Sequence, residues 1–556
     1  MKIALAQLNY TIGNFEKNIF KITEAIQHAK KENADLVVLA ELAVSGYPPL
    51  DFLEFNDFVG RCKKAVEEIA KECVGISAIV GCPTINPKTE GKNLFNSAYF
   101  LGDGKIKNEI HKTLLPNYDV FDEYRYFEPG KNFECIEVNG VKIAVTICED
   151  LWNVEDDPMY VSCPMDELVK EKPLLMINIA ASPFDYTHAE KRKAILKRNA
   201  LQYHVPIVYV NHVGAQTELI FDGGSLVMNE KGKIVHELDY FKEDLCIINF
   251  EDGSWKLENK KYADNPTSNL QLPSLNLKSQ KILNALTLGI RDYFQKQNFT
   301  KAILGLSGGI DSAVVLCLAV EALGAKNVKA VLMPSEFSSK GSVDDAVALA
   351  KNLGADYEII PIEKVYLQYI SSLEKQFNGL PFSVAEENIQ ARVRGNILMA
   401  ISNKFGYILL NTSNKSELAV GYGTLYGDMA GGLSVIGDVY KTEVYELANY
   451  INRGKKIIPD SSITKPPSAE LRPNQKDSDS LPDYKILDAL LLQYIEHRKG
   501  PEELVAAGFD AALVKRVLKM VNTNEYKRFQ TPPILRVSPK AFGMGRRLPI
   551  VGTYLS

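Results

Sequence analysis

One cysteine stands where a thiol could do chemistry. The apolar run 143–147 predicts a buried strand that ends abruptly at Cys148, and polar residues follow it. A thiol at a strand end, beside a helix N-terminus, can be exposed and stabilised as a thiolate. The alternative is a buried cysteine that packs as a small hydrophobe, the role we assign to Cys62, Cys82 and Cys317. The polar neighbours of Cys148 favour a nucleophile.

Two charged residues could complete this chemistry. Glu41 follows the apolar run 36–40, and Lys112 lies in a segment, 111–116, with the composition of a loop. Glu41 could act as general base on the thiol, Lys112 could stabilise thiolate and oxyanion, and Cys148 could form an acyl-thioester. A buried acid beside a lysine could instead be a plain ion pair. The three motifs together favour catalysis.

A second candidate site is a loop between a predicted strand and a predicted helix. Its residues are Gly305, Leu306, Ser307, Gly308, Gly309, Ile310, Asp311 and Ser312. Small residues at a helix N-terminus leave backbone N–H groups free to bind an anion. The loop is not a Walker A motif, because no Gly-Lys-Ser/Thr follows. A plain glycine-rich turn would leave Ser307, Asp311 and Ser312 unexplained, whereas an acid beside phosphates suits Mg²⁺.

The elements that must position these residues alternate along both halves of the chain. In the first half, buried strands are predicted at 2–9, 34–40, 75–82, 141–147, 174–180, 205–211 and 225–228, and a helix at 18–31. A layered α/β domain over 1–250 follows. The polar, turn-forming stretch 251–278 predicts a linker.

The alternation restarts after that linker. A helix is predicted at 279–297, strands at 301–306 and 328–333, and between them a helix ending at Gly324. This pattern is typical of a doubly wound α/β domain over 279–556. Residues 459–482, rich in Ser, Pro, Lys and Asp, predict a mobile loop rather than a further element.

Composition excludes several classes of protein. The 556 residues exceed the roughly 250–300 at which one core stops growing, and 64 basic against 69 acidic side chains give a net charge of −5. No apolar run is long enough for a membrane span, and no signal-peptide core is seen. Eight cysteines without a C-x-x-C pair indicate a reducing cytoplasm, and seven scattered histidines argue against a zinc or iron enzyme. Nucleic acid is not an expected partner.

Glu41, Lys112 and Cys148 resemble the Glu-Lys-Cys triad of the nitrilase superfamily, and the resemblance covers residues 1 to about 250. It implies an α-β-β-α sandwich that cleaves or condenses amides and nitriles. Further residues match positions that line the amide pocket of glutamine-using relatives: Tyr118, Glu123, Glu149, Ser182 and His188.

The loop at 305–312 resembles that of the ATP pyrophosphatase superfamily, and downstream motifs resemble the NAD synthetase family. The resemblance implies a doubly wound parallel domain of the adenine nucleotide alpha hydrolase type. It implies ATP binding by the loop, Met333 and Thr412, and Mg²⁺ binding by Asp311 and Glu417. Residues implied for deamido-NAD or the phosphates are Asn388, Arg392, Glu417, Asp428, Lys441 and Lys527.

Together the two resemblances span the chain and indicate the glutamine-dependent branch of that family. They imply a ligase that hydrolyses glutamine and uses the ammonia to amidate deamido-NAD, through an adenylate formed from ATP. The cofactor would be Mg²⁺, with ATP as co-substrate, and the protein would be a homo-oligomer. We further hypothesise a protected tunnel for ammonia. Adenylation of another acceptor (a purine, aspartate or a tRNA base) and a non-catalytic sensor remain the competing hypotheses.

Overall fold

The computed structural model describes residues 1–251, 254–257, 277–552 and 554. The chain divides into two compact units, Met1–Leu272 and Pro273–Ser556. Most of the predicted linker 251–278 lies outside the described residues, and its described ends belong to a strand and a helix. Within the described part, every helix is too short or too polar to span a bilayer.

The described residues of the first unit form two main sheets and a hairpin. Their strands are β1 (Lys2–Gln7), β2 (Leu36–Val38), β3 (Ser77–Ile85), β4 (Leu94–Gly102), β5 (Lys105–His111), β6 (Ile136–Val138), β7 (Val141–Ile147), β8 (Leu175–Ala180), β9 (Ile207–Asn211), β10 (Val213–Gln216), β11 (Leu219–Asp222), β12 (Leu226–Met228), β13 (Ile234–Glu237), β14 (Asp244–Glu251) and β15 (Ser254–Leu257). One sheet has the order β15-β14-β1-β2-β3-β4-β5 and the other β13-β12-β9-β8-β7-β6, while β10 and β11 pair with each other.

Helices cover these sheets to give an α-β-β-α sandwich. They are α1 (Phe15–Lys31), α2 (Asn56–Glu72), α3 (Pro164–Leu168) and α4 (His188–Tyr203). The sheets pack against each other through alternate side chains such as Ile3 and Leu36 from one and Ile177 from the other. The opposite faces of β1 and β2 meet α1 through residues such as Ile22 and Ile26. The period-2 and period-3.6 apolar patterns therefore bury matching faces.

The second unit is built on a parallel sheet of the order β18-β17-β16-β19-β20. Its strands are β16 (Lys301–Gly305), β17 (Val328–Leu332), β18 (Asp356–Ile359), β19 (Tyr407–Asn411) and β20 (Leu433–Ser434). β16 lies inside the sheet between β17 and β19, so the loop that follows it opens at the carboxyl edge. Ligands of doubly wound folds bind at that edge.

The described helices of this unit include the one after β16, which begins inside the predicted anion loop. They are α5 (Leu277–Lys296), α6 (Ile310–Leu323), α7 (Lys340–Leu353), α8 (Glu363–Phe377), α9 (Val384–Phe405), α10 (Lys415–Val420), α11 (Lys441–Ile451), α12 (Asp460–Thr464), α13 (Tyr484–Leu491), α14 (Pro501–Ala506), α15 (Ala511–Thr523) and α16 (Glu525–Arg528).

The main strand and helix predictions are confirmed, and one is wrong. Residues 459–482 were predicted to hold no further element, yet the segment contains α12 and a short 3-10 turn at Asp477–Asp479. Contacts with distant residues order it: the Ser462 hydroxyl donates to the Gly308 carbonyl at 3.0 Å. Such contacts leave no periodic signal in the local sequence.

Candidate active sites

Cys148 is the first residue after β7, as predicted, and it opens a 3-10 turn, Cys148–Leu151. Its φ is +44°, a left-handed conformation that is uncommon for a residue with a side chain and clusters at functional sites. The side chain is 6% exposed. Burial and the nearby carboxylate of Glu41 raise the pKa of the Cys148 thiol well above its usual range, against the influence of Lys112. The resting thiol is therefore protonated and needs a base.

Glu41 and Lys112 are brought together beside that thiol. Glu41 follows β2 and Lys112 follows β5, and both side chains are almost completely buried. The Lys112 Nζ donates to Glu41 Oε1 at 2.7 Å, and the backbone N–H of Ala181 donates to Glu41 Oε2 at 2.8 Å. Each carboxylate oxygen thus has a fixed donor, which holds the acid and lysine in one geometry.

Glu123, which is predicted to contact glutamine, provides a second carboxylate that contacts Lys112. Its oxygens lie 2.9 and 2.8 Å from the Lys112 Nζ, and its Oε1 accepts from the Tyr47 hydroxyl at 2.9 Å. Burial raises the pKa of Glu123 to about 7, Lys112 opposes the shift, and Glu41 adds to it. Burial alone would lower the pKa of Lys112, but Glu123 and Glu41 raise it well above its usual range. The lysine therefore stays charged.

Glu149, next to the nucleophile, is held by two tyrosines. Tyr118 donates to Glu149 Oε1 at 2.9 Å, and Tyr160 donates to the same oxygen at 3.0 Å. Burial raises the pKa of Glu149. Tyr118 was predicted for this pocket and Tyr160 was not. A carboxylate here suits an ammonium group of a substrate.

Ser182 and His188 also contact each other. The Ser182 Oγ lies 2.9 Å from His188 Nε2, and the His188 ring stacks on Trp152 with centroids 5.1 Å apart. Asn211 fixes the backbone of Ser182 by accepting from its N–H at 2.8 Å. Four of the five residues predicted for the glutamine pocket therefore contact the triad or lie in or against the turn that begins at Cys148, and the fifth, Ser182, contacts His188.

The anion loop of the second unit has the predicted form. Gly308 has φ +81°, and a Cβ there would lie 2.1 Å from the Ser342 carbonyl oxygen, so only glycine fits. The Gly309 N–H donates to Ser307 Oγ at 3.2 Å, and the two hydroxyls of Ser307 and Ser312 lie 3.2 Å apart. These contacts shape the turn at the N-terminus of α6, where a phosphate is favoured.

Asp311 and Glu417 converge on one lysine. Lys441 contacts Asp311 closely and lies 3.4 Å from Glu417 Oε1, while Asn414 donates to Asp311 Oδ1 at 2.9 Å. Burial raises the pKa of Glu417 to about 8, Lys441 opposes the shift, and Asp311 adds to it. Lys415 is only two positions from Glu417 in the sequence, but it contacts Asp438 and is fully buried.

The pair of carboxylates fits a magnesium ion bound together with phosphates. Carboxylate oxygens are hard donors, and both side chains are partly exposed and line the same cavity. The described residues contain no group of three or more His, Cys, Asp or Glu side chains arranged for a metal. Mg²⁺ in nucleotide sites commonly takes one or two carboxylates and completes its shell with phosphate oxygens and water.

These residues surround a cavity of about 320 Å³ at the carboxyl edge of the sheet. Residues 305–307 and 309–312, Met333, Thr412, Asp428 and Lys441 line it, as the resemblance implies for an ATP site. Gly308 is not among the lining residues. Arg394 also lines the cavity, and its Nε donates to the Met333 carbonyl at 3.0 Å. Burial lowers the pKa of Arg394 to about 10.

Three residues predicted for deamido-NAD lie outside this lining. They contact one segment, 421–428, instead. Asn388 accepts from Thr424 Oγ1 at 2.7 Å, Arg392 donates to the Leu425 carbonyl at 3.2 Å, and Lys527 donates to the Gly421 carbonyl at 2.8 Å. Asp428 belongs to that segment and lines the cavity as well. The predicted residues therefore form two neighbouring groups joined by this segment.

The segment 459–484 contributes part of the cavity wall, which its composition did not predict. Lys465 lies 3.0 Å from Ser342 Oγ and 3.4 Å from Asp345 Oδ2. Glu470 accepts from the hydroxyls of Ser339 and Ser342 at 3.0 and 2.8 Å. No local pattern marks these residues, because their partners lie more than 100 positions away.

Comparison with known proteins assigns each unit to a family. Residues 2–256 match the carbon-nitrogen hydrolase family, and residues 282–531 match the NAD synthase family. The glutamine-dependent NAD(+) synthetase of Synechocystis sp. is 45% identical over 99% of both chains, and that of Thermotoga maritima is 41% identical over 100% of this chain and 99% of its own.

A solved structure agrees over the whole chain. The glutamine-dependent NAD+ synthetase of Acinetobacter baumannii, in complex with adenosine diphosphate, has a TM-score of 0.77 and 39% identity, covering 99% of this chain and 98% of its own. The enzyme of Cytophaga hutchinsonii, 22% identical, shares the fold with a TM-score of 0.81 and covers 100% and 98%. With full-length relatives above 40% identity, this chain belongs to the family of glutamine-dependent NAD(+) synthetases, ligases that form a carbon–nitrogen bond with glutamine as the amido-nitrogen donor.

Proposed function

We propose that Cys148 is the nucleophile that hydrolyses glutamine in the first unit. Its Sγ attacks the carboxamide carbon while the thiol proton passes to Glu41, and Lys112 stabilises the oxyanion. Glu41 then returns the proton to the departing nitrogen, and ammonia leaves an acyl-thioester. Water, deprotonated by Glu41, cleaves the thioester to glutamate. The observation that carries this proposal is the buried Glu41–Lys112 contact of 2.7 Å.

In the second unit, the cavity that the 305–312 loop lines would bind ATP. The nicotinate carboxylate of deamido-NAD would attack the α-phosphorus and release pyrophosphate, whose oxygens the loop N–H groups favour. Ammonia then attacks the acyl carbon of the mixed anhydride, giving NAD and AMP. Adenylation is needed because a carboxylate has no good leaving group.

The carboxylates of Asp311 and Glu417 would hold Mg²⁺ against the phosphates. The ion would neutralise charge that develops on the phosphate oxygens. Lys441 would remain beside both acids and contribute a further positive charge. We assign Asn388, Arg392, Asp428 and Lys527 to deamido-NAD, because Asp428 belongs to the segment 421–428 that borders the cavity and the other three contact that segment.

We also propose that ammonia passes between the two active sites without mixing with solvent. Free ammonia is mostly ammonium at neutral pH and diffuses away, so protection would preserve the nucleophile. The test supplies ¹⁵N-glutamine together with excess unlabelled ammonium. NAD that keeps the ¹⁵N label supports protected transfer, and NAD diluted to the pool ratio contradicts it.

A homo-oligomer is proposed for the same enzyme. Large apolar side chains on α8 and α9 are exposed, namely Val365, Leu367, Tyr369, Met399 and Phe405. Exposed apolar patches mark interaction surfaces, and a second copy is the partner we propose. Light scattering should give a mass of two chains or more, and the mass of one chain, 61.9 kDa, would contradict it.

The eight cysteines, all in described positions, are free thiols, which supports a cytoplasmic location.

The reaction is tested by following three products together. The purified protein is incubated with deamido-NAD, ATP, Mg²⁺ and glutamine, and NAD, AMP and glutamate are separated by chromatography. Equal amounts of NAD and AMP, with glutamate at least matching them, support the proposal. Glutamate without NAD would leave the first unit's role intact and require another acceptor for the second.

A further inference from the structure

We propose that Asp150 is a positioning residue for glutamine hydrolysis, because its carboxylate joins the segment that carries Lys112 to the turn that carries Cys148. This inference rests on the proposed function of the first unit. Asp150 is two residues beyond the nucleophile and is 3% exposed.

The contacts of Asp150 reach two separate parts of the chain. Its Oδ1 accepts from the backbone N–H groups of Thr113 at 3.0 Å and Leu114 at 2.9 Å. Its Oδ2 accepts from the backbone N–H of Ile147 at 3.0 Å. Both carboxylate oxygens therefore accept hydrogen bonds. Two of the donors directly follow Lys112 in the sequence, and the third directly precedes Cys148.

The two segments belong to different sheets of the sandwich. Lys112 follows β5, the edge strand of one sheet, whereas Cys148 follows β7 of the other. The segment after Lys112 leaves its sheet. The N–H groups of Thr113 and Leu114 donate to Asp150 rather than to a neighbouring strand. One carboxylate therefore sets the distance between the lysine and the sulfur.

Asp150 also supports the unusual backbone of the nucleophile. Cys148 has a positive φ, and the Oδ2 contact closes the turn that imposes it, from Ile147 to Asp150. Burial raises the pKa of Asp150 to about 6, and its three backbone donors oppose the shift. At neutral pH the carboxylate is ionised and accepts from all three. A displacement of about 1 Å in a catalytic group costs on the order of 10²-fold in rate.

The test is Asp150→Asn, which keeps the shape and one acceptor oxygen but turns the other position into a donor. We expect kcat for glutamate formation to fall about 100-fold while KM for glutamine changes less than about threefold, because the pocket residues stay in place. NAD formation from ammonium should be unchanged. Asp35→Asn is the matched control: Asp35 also accepts a backbone N–H, from Lys2 at 2.7 Å, and should keep normal kinetics.

Two results would overturn the inference. One is a kcat within threefold of the parent enzyme, and the other is a raised KM with an unchanged kcat, which indicates a contact with substrate. If Asp150→Asn does not fold, Asp150→Glu replaces it, since the added methylene displaces both oxygens; a normal kcat in that variant overturns the inference too. Glutamine hydrolysis that survives Cys148→Ala would refute the proposed function itself, and is distinguishable from all of these.

Discussion

The two active sites differ in how complete they are before substrate binds. In the first unit the proposed catalytic side chains already hold each other in place: Lys112 contacts Glu41 and Glu123, and all three are nearly fully buried. In the second unit a cavity of about 320 Å³ is lined by backbone N–H groups, an acidic pair and a lysine. Among the described residues that line it, no nucleophile is paired with a base.

The difference follows from the chemistry of each reaction. Amide hydrolysis needs a nucleophile, a base and a cation from the protein, so those groups are preorganised. Adenylation needs the reactants to be aligned and the charge of the phosphates to be neutralised. The protein therefore supplies a binding cavity, and the reacting atoms belong to the substrates. Variants of the first site should therefore abolish one half-reaction, whereas variants of the second should act through ATP and Mg²⁺.

Lys112→Met should give the largest effect, because it leaves two buried carboxylates without their cation. Breaking a buried pair in this way costs about 3–5 kcal/mol of folding free energy. Glutamate formation should be lost, and NAD formation from ammonium should persist. Thermal unfolding and the two assays measure this.

Lys21→Met is the control for that prediction. Lys21 pairs with Glu243 at 2.5 Å, but both side chains are partly exposed. Such a pair contributes about 1 kcal/mol or less. Equal losses of stability in the two variants would contradict the preorganised picture of the first site.

Asp311→Asn should lower the rate of NAD formation from glutamine and from ammonium alike, by about 100-fold or more, because a proposed Mg²⁺ ligand is lost. Glutamate formation should continue at least in part. Raising Mg²⁺ should recover some activity. Asp356→Asn, at an exposed carboxylate paired with Lys329, is the control and should behave normally. Loss of glutamate formation to the same degree as NAD would contradict the division of labour.

The pH profile of glutamate formation should show the ionisation of Glu123, whose pKa is about 7. Below that pH the carboxyl is neutral, so Glu41 alone holds the Lys112 ammonium and becomes a weaker base. The rate should rise about tenfold from pH 6 to 8. Glu123→Gln should remove this step and lower kcat, whereas Glu128→Gln should keep it. An unchanged profile in Glu123→Gln would assign the step elsewhere.

Lys465→Ala should have the smallest effect. Lys465 lines the proposed ATP cavity and contacts Ser342, but it is also partly exposed. We expect KM for ATP to rise about threefold, with kcat nearly constant. Lys476→Ala, exposed and in the same segment, should leave KM unchanged. A large fall in kcat would mean that this segment aligns reactants rather than only attracting phosphate.

The residues that end apolar strands could be predicted from sequence. Glu41 and Cys148 each follow a predicted apolar strand, and the strand-to-helix loop at Ser307 has a distinctive composition, whereas Lys112 follows β5, a partly exposed strand that the sequence pattern does not predict. In these cases the local pattern determines both the element and the place where it stops. The separate strands then bring the three together through the sandwich.

Residues whose partners are distant in sequence could not be predicted in the same way. Asp150 contacts Thr113, Arg394 contacts Met333, and Glu470 contacts Ser339, and none of these pairs produces a periodic pattern. Only the tertiary fold brings them together. For the same reason, the composition of the segment that holds Glu470 predicts only a loop without further structure.

The most direct test of the two-site account compares Cys148→Ala with the parent enzyme, with NAD formation measured from glutamine and from ammonium. Cys148→Ala should form no NAD from glutamine above background and should keep the parent rate from saturating ammonium. NAD formation from glutamine in this variant, or loss of the ammonium reaction in a folded protein, would contradict the account.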